Sequence, residues 1–262
     1  MNYIANIKSI YYHNPRAEHV ESMIKWLTKK GYRFISDREL YDILCSKEKI
    51  SEKLVYLSFD DAWRSNLDLI PIIEKYEVPI TIFTPIHPLY SGNYWWEYIN
   101  CNKEELSDLH SNGFSKKLLC LESSKELHRS CMSVEEIKKL SEHPLVSLQA
   151  HTVHHPILTY MSDEEVSFEL SESRKLLSEL IGRNVLFFSY PNGSYSTREL
   201  NSVARLYKMA FTIEMRHIKM SDSLYELPRV CLTGDTFKDK LKFYGVWSYI
   251  KRLKSIFSKS SC

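Results

Sequence analysis

The sequence predicts an α/β protein built on a parallel sheet that curls into a single closed or nearly closed barrel. Two observations carry that expectation. Residues 54–59 and 78–84 are near-continuous apolar, β-prone runs, which read as strands buried on both faces. Helical periodicity separates them, and strand, helix and strand within about 30 residues make a βαβ unit with a right-handed crossover. The alternation extends over most of the chain, which favours a barrel over segregated sheet and helix layers.

In chain order, residues 17–32 place Val20, Met23, Ile24 and Leu27 at helical spacing, and Gly31 suits a C-cap. A short strand at 33–35 leads to a second helix from Ser36 and Asp37; residues 64–76 read as a helix between the two buried strands. Residues 86–132 break this rhythm, with Trp95 and Trp96, a polar stretch and weak periodicity, and read as an insertion over one end of the sheet. The pattern resumes with a helix from Ser133, whose S-V-E-E is a capping-box start, and a strand at 145–150. A second such start, S-D-E-E at Ser162, opens a long helix that ends at Gly182. Strands at 185–189 and 209–213 flank a helix near 197–207. This assigns one domain to residues 1–240 and a basic amphipathic tail to 241–262.

The composition, 44% hydrophobic and 13% aromatic over 262 residues, supplies a buried core and excludes disorder. A formal net charge of +2 leaves no general nucleic-acid footprint. The six cysteines are scattered without a C-x-x-C pair, as in a reduced intracellular protein. The N-terminal residues lack the apolar core of a signal peptide, and no apolar run is long enough to span a membrane. The expected location is cytoplasmic, or peripheral at the inner face of the membrane.

Three segments that follow strands hold the chemistry, and in parallel α/β proteins ligands gather at strand carboxyl ends. The first is S-F-D-D-A-W, residues 58–63. Adjacent carboxylates ending a buried strand repel unless one binds a metal and the other takes a proton; alternatively, one of them caps the next helix. The second is H-T-V-H-H-P, residues 151–156, where His151 and His155 can reach one ion and Pro156 enforces a tight turn. Two histidines and one carboxylate leave positions open for water and substrate, the layout of a hydrolytic metal site. The third is F-S-Y-P-N-G-S-Y, residues 188–195, a Pro/Gly turn that either exposes backbone N–H groups to an anion or is an ordinary loop.

Together these segments resemble the polysaccharide deacetylase (NodB-homology) family, carbohydrate esterase family 4. Its ordered motifs F-D-D-G, H-[ST]-x-x-H-P and a Pro-containing turn read here as SFDDA, HTVHHP and YPNG. The resemblance covers roughly residues 20–240, including G-Y-R-F-I-S near the start and L-P-R-V near the end. It implies an irregular (β/α)7 barrel and a metal-dependent deacetylase acting on the N-acetyl group of an N-acetylhexosamine in a polysaccharide or its precursor. By the resemblance Asp60 is the general base, Asp61, His151 and His155 hold a divalent metal, Zn²⁺ or a similar ion, and the Asn192 N–H within the Tyr190-Pro191-Asn192 turn faces the oxyanion.

The departures are specific. Ala62 replaces the family's Gly, and Ser189 stands where many members carry an Arg, for which Arg229 is the candidate substitute. The late motif that supplies the general acid has no clear match, and His217 is the one histidine downstream of the Pro turn. Trp95 and Trp96 either floor a sugar subsite or form the insertion's core. In the tail, Val246, Ile250, Leu253 and Phe257 share a face that lies on an anionic membrane or docks on the barrel. A glycan or lipid-linked sugar is the expected partner, with a role in surface polysaccharide biosynthesis. The competing readings are a metal-dependent amide or ester hydrolase of a non-sugar compound, and a catalytically impaired glycan-binding protein.

Overall fold

The structure, a computed structural model, describes residues 7–47, 50–100, 102–110 and 113–246. The chain begins with β1 (Lys8–Tyr12), α1 (Ala17–Lys29), β2 (Tyr32–Ile35), α2 (Asp37–Ser46) and β3 (Lys53–Asp60). A 3-10 segment, Arg64–Leu69, runs into α3 (Ile70–Tyr76), followed by β4 (Ile80–Thr84). The insertion folds as α4 (His87–Ser91), a 3-10 turn Trp95–Glu97, α5 (Lys103–His110) and α6 (Phe114–Glu122). Then come α7 (Val134–Ser141), β5 (Val146–Ala150), α8 (Asp163–Ile181), β6 (Phe187–Ser189), α9 (Thr197–Leu206) and β7 (Met209–Phe211). The chain closes with β8 (Val230–Cys231) and α10 (Thr236–Phe243).

All the paired strands are parallel, so their carboxyl ends lie at one end of the sheet, whose order is β7-β6-β5-β4-β3-β1-β8. β3 is the organising strand. One edge pairs with β1 from Lys8↔Val55 to Tyr12↔Phe59, while the other is shared by β2 along its first half and β4 along its last residues. Leu227 bridges Phe211 of β7, and three residues later Val230 pairs with Ile10 of β1. That short stretch closes the curl into a barrel, in agreement with the (β/α)7 expectation.

Helices cover the outside with the apolar faces that their periodicity implies, Val20, Met23, Ile24 and Leu27 of α1 among them. Inside the barrel Tyr56, Phe83, Phe187, Met209 and Phe211 form one cluster with Leu40 and Leu44 of α2, which plugs the end opposite the strand carboxyl ends. Each such fully buried side chain contributes about 1.5–3 kcal/mol. Ser133 and Ser162 form the capping boxes read from the sequence, and Gly182 ends α8 in the left-handed conformation.

Some elements differ from expectation. The helix expected over 64–76 is 3-10 up to Leu69 and α-helical only from Ile70, because Pro71 lacks an N–H and its ring crowds the preceding turn. β1, β8 and α10 were not anticipated. With two residues, β8 is too short for periodicity to show. α10 spans the boundary drawn at residue 240 and buries Phe243 against Trp26 and Tyr32, each at a ring separation of 5.4 Å. Of the tail's expected apolar face only Val246 lies among the described residues. No described helix is long and apolar enough to cross a membrane.

One candidate site residue belongs to this lower half of the barrel and needs correcting. His217 accepts a hydrogen bond from Ser9 N at Nδ1 (3.1 Å) and donates from Nε2 to the Phe243 carbonyl (2.6 Å). Ser9 pairs with Tyr56, four residues below Asp60 on β3, so His217 does not reach the strand carboxyl ends. Both ring nitrogens are committed to backbone, and burial together with Lys8 pushes the imidazole down to about 4. His217 is a structural residue. Because its folded pKa lies below the unfolded value of about 6.5, its contribution is fully present above that pH and is lost as pH falls toward 4. Denaturant midpoints measured from pH 7.5 to 4 should show wild type losing about 2 kcal/mol more than His217→Gln, whose amide keeps both bonds without titrating.

Candidate active site

The three motif loops meet where the strands end. Five of the seven described non-glycine residues with positive φ lie in them: Asp61 (76°), Ala62 (57°), Thr152 (67°), His155 (58°) and Asn192 (54°). Each costs of order 1–2 kcal/mol for an ordinary L-residue, so the surrounding packing over-determines these turns. Gly193, also left-handed, completes the third loop, where an added Cβ would lie 2.2 Å from Ile213 Cγ1.

Asp61, His151 and His155 are all buried, and one ligand atom from each lies within 4.8 Å of the others. Asp61 Oδ1 is 3.2 Å from His155 Nε2 and 3.5 Å from His151 Nε2, yet makes no hydrogen bond. A buried carboxylate oxygen without a donor, facing two imidazole nitrogens, is the arrangement a cation would satisfy. Supporting contacts orient each member. Trp63 Nε1–H donates to Asp61 Oδ2 (3.1 Å), His151 Nδ1–H to the Ser189 carbonyl (2.7 Å), and Trp95 Nε1–H to the His155 carbonyl (2.8 Å). His151 therefore presents an unprotonated Nε2. Burial disfavours the Asp61 charge, but the two histidines hold the carboxyl well below its ordinary range.

Asp60, at the end of β3, meets Arg229 in a bidentate pair, with Nη1–Oδ1 and Nη2–Oδ2 both 2.8 Å. Nη1 also donates to Ser58 Oγ (3.0 Å) and Nη2 to Ser189 Oγ (2.7 Å). The guanidinium is fully buried and lies 4.3 Å from the Tyr11 ring centroid, 5.2 Å from that of Phe83 and 5.5 Å from that of Phe211. Burial raises the Asp60 carboxyl, but Arg229 overcomes it, and the group stays ionised below the ordinary carboxylate range. Ser189 is thus a small acceptor that leaves room for Arg229.

An open pocket lies over these groups. Asp60, Asp61, His151 and His155 form its base, and Trp63, Trp95, Trp96, Tyr190 and Asn192 stand in its wall. Trp95 is 5% exposed and packs on His110 and Phe114 of the insertion, while Trp96 stacks on Tyr94 and meets the His155 ring edge-on at 4.7 Å. The pair is at once insertion core and pocket wall. Pro191 is buried behind the Tyr190–Asn192 turn and does not line the pocket.

His13 and Trp63 are among the lining residues to which the sequence reading gave no role. His13 follows β1 directly, on the rim, with part of its ring in solvent. Its surroundings disfavour its charge by burial, but a hydrogen bond to Cys231 and the nearby Asp61 and Asp60 prevail and raise it to about 9. The signal was a histidine at a strand's carboxyl end, hidden because β1 itself was missed.

Removing one partner of the buried pair leaves an uncompensated charge. Arg229→Met should therefore lower unfolding stability by about 3–5 kcal/mol in urea titrations, and adding Asp60→Asn should restore more than half of that loss.

A profile of the polysaccharide deacetylase family matches residues 47–210. YxkH of Bacillus subtilis (strain 168), named for that family, is 24% identical over 212 residues, 80% of this chain but 62% of its own length. The poly-β-1,6-N-acetyl-D-glucosamine N-deacetylase of Staphylococcus aureus (strain N315) is 21% identical over 247 residues, covering 92% of this chain and 75% of that one. Among solved structures, the Streptococcus pyogenes deacetylase PplD in complex with acetate shares the fold at a TM-score of 0.69 and 21% identity, over 91% of this chain and 97% of that one. IcaB from Ammonifex degensii does so at 0.66 and 17% identity, over 91% and 97%. The matched span contains all three motif loops, and on it rests the assignment: the chain belongs to the polysaccharide deacetylase family.

Proposed function

We propose that the chain hydrolyses the N-acetyl group of an N-acetylhexosamine within a glycan, with Zn²⁺ or a similar divalent ion held by Asp61, His151 and His155. The observation that carries this reading is the donorless Asp61 Oδ1 facing two histidine Nε2 atoms beside an ionised, arginine-held Asp60. The name of the Staphylococcus aureus relative supports a polymer of N-acetylglucosamine as the substrate class; a role in surface polysaccharide biosynthesis is part of the same proposal.

A metal held by Asp61, His151 and His155 would supply Lewis acidity to the acetyl carbonyl and to a water. Asp60 takes the proton that this water loses on attack, and Arg229 keeps the carboxylate ionised and aimed. The backbone N–H of Asn192, in the pocket wall, is the donor assigned to the oxyanion, a contribution of about 3–4 kcal/mol in comparable sites. When the C–N bond breaks, His13 on the rim, and not His217, delivers the proton that the leaving amine needs. The products are acetate and the free amino sugar. Trp96 offers an aromatic face to the apolar side of a pyranose ring.

Purified protein should release acetate from β-1,6-linked N-acetylglucosamine oligomers, stop on chelation and recover with Zn²⁺. Asp60→Asn should reduce kcat by about 10²–10⁴ with metal content unchanged. Loss of metal from that variant would reverse the roles given to Asp60 and Asp61. Metal and glycan binding without acetate release would favour a glycan-binding protein instead.

A further inference from the structure

The loop that carries His151 and His155 is strained and has little to hold it from within. Thr152 and His155 are both left-handed, and the internal tie is the Thr152 hydroxyl, which accepts from His155 N (3.0 Å) and donates to the His151 carbonyl (2.5 Å). The remaining support comes from outside. The β4–α4 connection donates to it from Ile86 N to Thr152 O (3.2 Å) and from His87 N to Val153 O (2.7 Å).

On the other side lies Glu169 of α8, a side chain 1% exposed that falls on the buried face of an otherwise charged helix. Its Oε2 accepts from Val153 N (2.8 Å) and His154 N (2.9 Å), and its Oε1 from His154 Nδ1–H (2.5 Å). A carboxylate that accepts from two successive N–H groups fixes the peptide between them. That peptide lies midway between the two histidine ligands.

We propose that Glu169 is a positioning residue for the metal centre, holding the 153–154 peptide so that His151 and His155 both face Asp61 Oδ1. The inference rests on the metal reading of that triad. The two N–H groups lie in a buried loop, where donors without partners are costly, so the loop would relax from its left-handed turns without Glu169. Small displacements matter here because ligand bonds tolerate only about 0.2 Å of error.

The test is Glu169→Leu, which keeps much of the side chain's bulk but removes both acceptor oxygens, leaving Val153 N–H, His154 N–H and His154 Nδ1–H without their partner. Zn²⁺ affinity measured by chelator competition should fall about 10–100-fold, the usual effect of removing a group that orients a ligand. The rise in melting temperature on adding Zn²⁺ should shrink, beyond whatever the metal-free protein itself loses. Unchanged affinity, with both forms melting equally lower, would make Glu169 a structural residue only and overturn the proposal. If Glu169→Leu does not fold, Glu169→Asp, one methylene shorter, is judged by the same criteria. Wild-type protein that takes up no Zn²⁺ would instead overturn the metal reading itself.

Discussion

A guanidinium buried inside a barrel is tolerable only when every donor is used, and Arg229 meets that condition. Asp60 takes two of its N–H groups, Ser58, Ser189 and the Thr212 carbonyl take others, and three aromatic rings surround the plane. The contact joins the segment that ends in β8 to β3 and β6, so the same ion pair ties the barrel's closing segment to its organising strand and sets the base in place. Either ion alone would face a desolvation cost of several kcal/mol. The apolar layer below, from Tyr56 to Phe211, keeps water from replacing either partner.

Above that pair the structure is built from backbone turns that L-residues adopt reluctantly, each clamped by a neighbour. Trp63 and Trp95 reach the ligand-bearing loops through their indole N–H groups, and the Tyr94 hydroxyl donates to the Asp61 carbonyl (2.9 Å). Trp95 and Tyr94 come from the insertion, which is therefore a brace for the site as well as its wall. Aromatic residues suit the task, since one side chain offers a large packed surface and a directed donor.

Much of this was legible in the sequence because its signals were local. β3 and β4 announce themselves as near-continuous apolar runs and β5 as a short strand, and Asp61, His151 and His155 stand just beyond two of these. The capping boxes at Ser133 and Ser162 marked two helix starts to the residue. What escaped depended on distant geometry. His217 looked available by its order in the chain, yet sits at the other end of the barrel, whereas His13 lies ahead of every recognised motif and arrives through the closing β1–β8 pair. Glu169 reads as one more surface acid in S-F-E-L-S-E-S until the loop it faces is known. Pattern reports which face a residue occupies, but not which loop packs on that face.

The seam between β1 and β8 also bears on how the chain is made. Ser9 donates its hydroxyl hydrogen to the Pro228 carbonyl, 219 positions further on, and Asp60 waits 169 positions for its arginine. A chain emerging from the ribosome holds β1 to β7 before either partner exists. Until then the first strand has a free edge and the carboxylate at the end of β3 has no counter-charge, which disfavours burying it. Long-range closure of this kind is slow and leaves strand edges exposed to wrong pairing. The native barrel is therefore reached only after β8 has been made, when that strand shuts the sheet and Arg229 neutralises its centre.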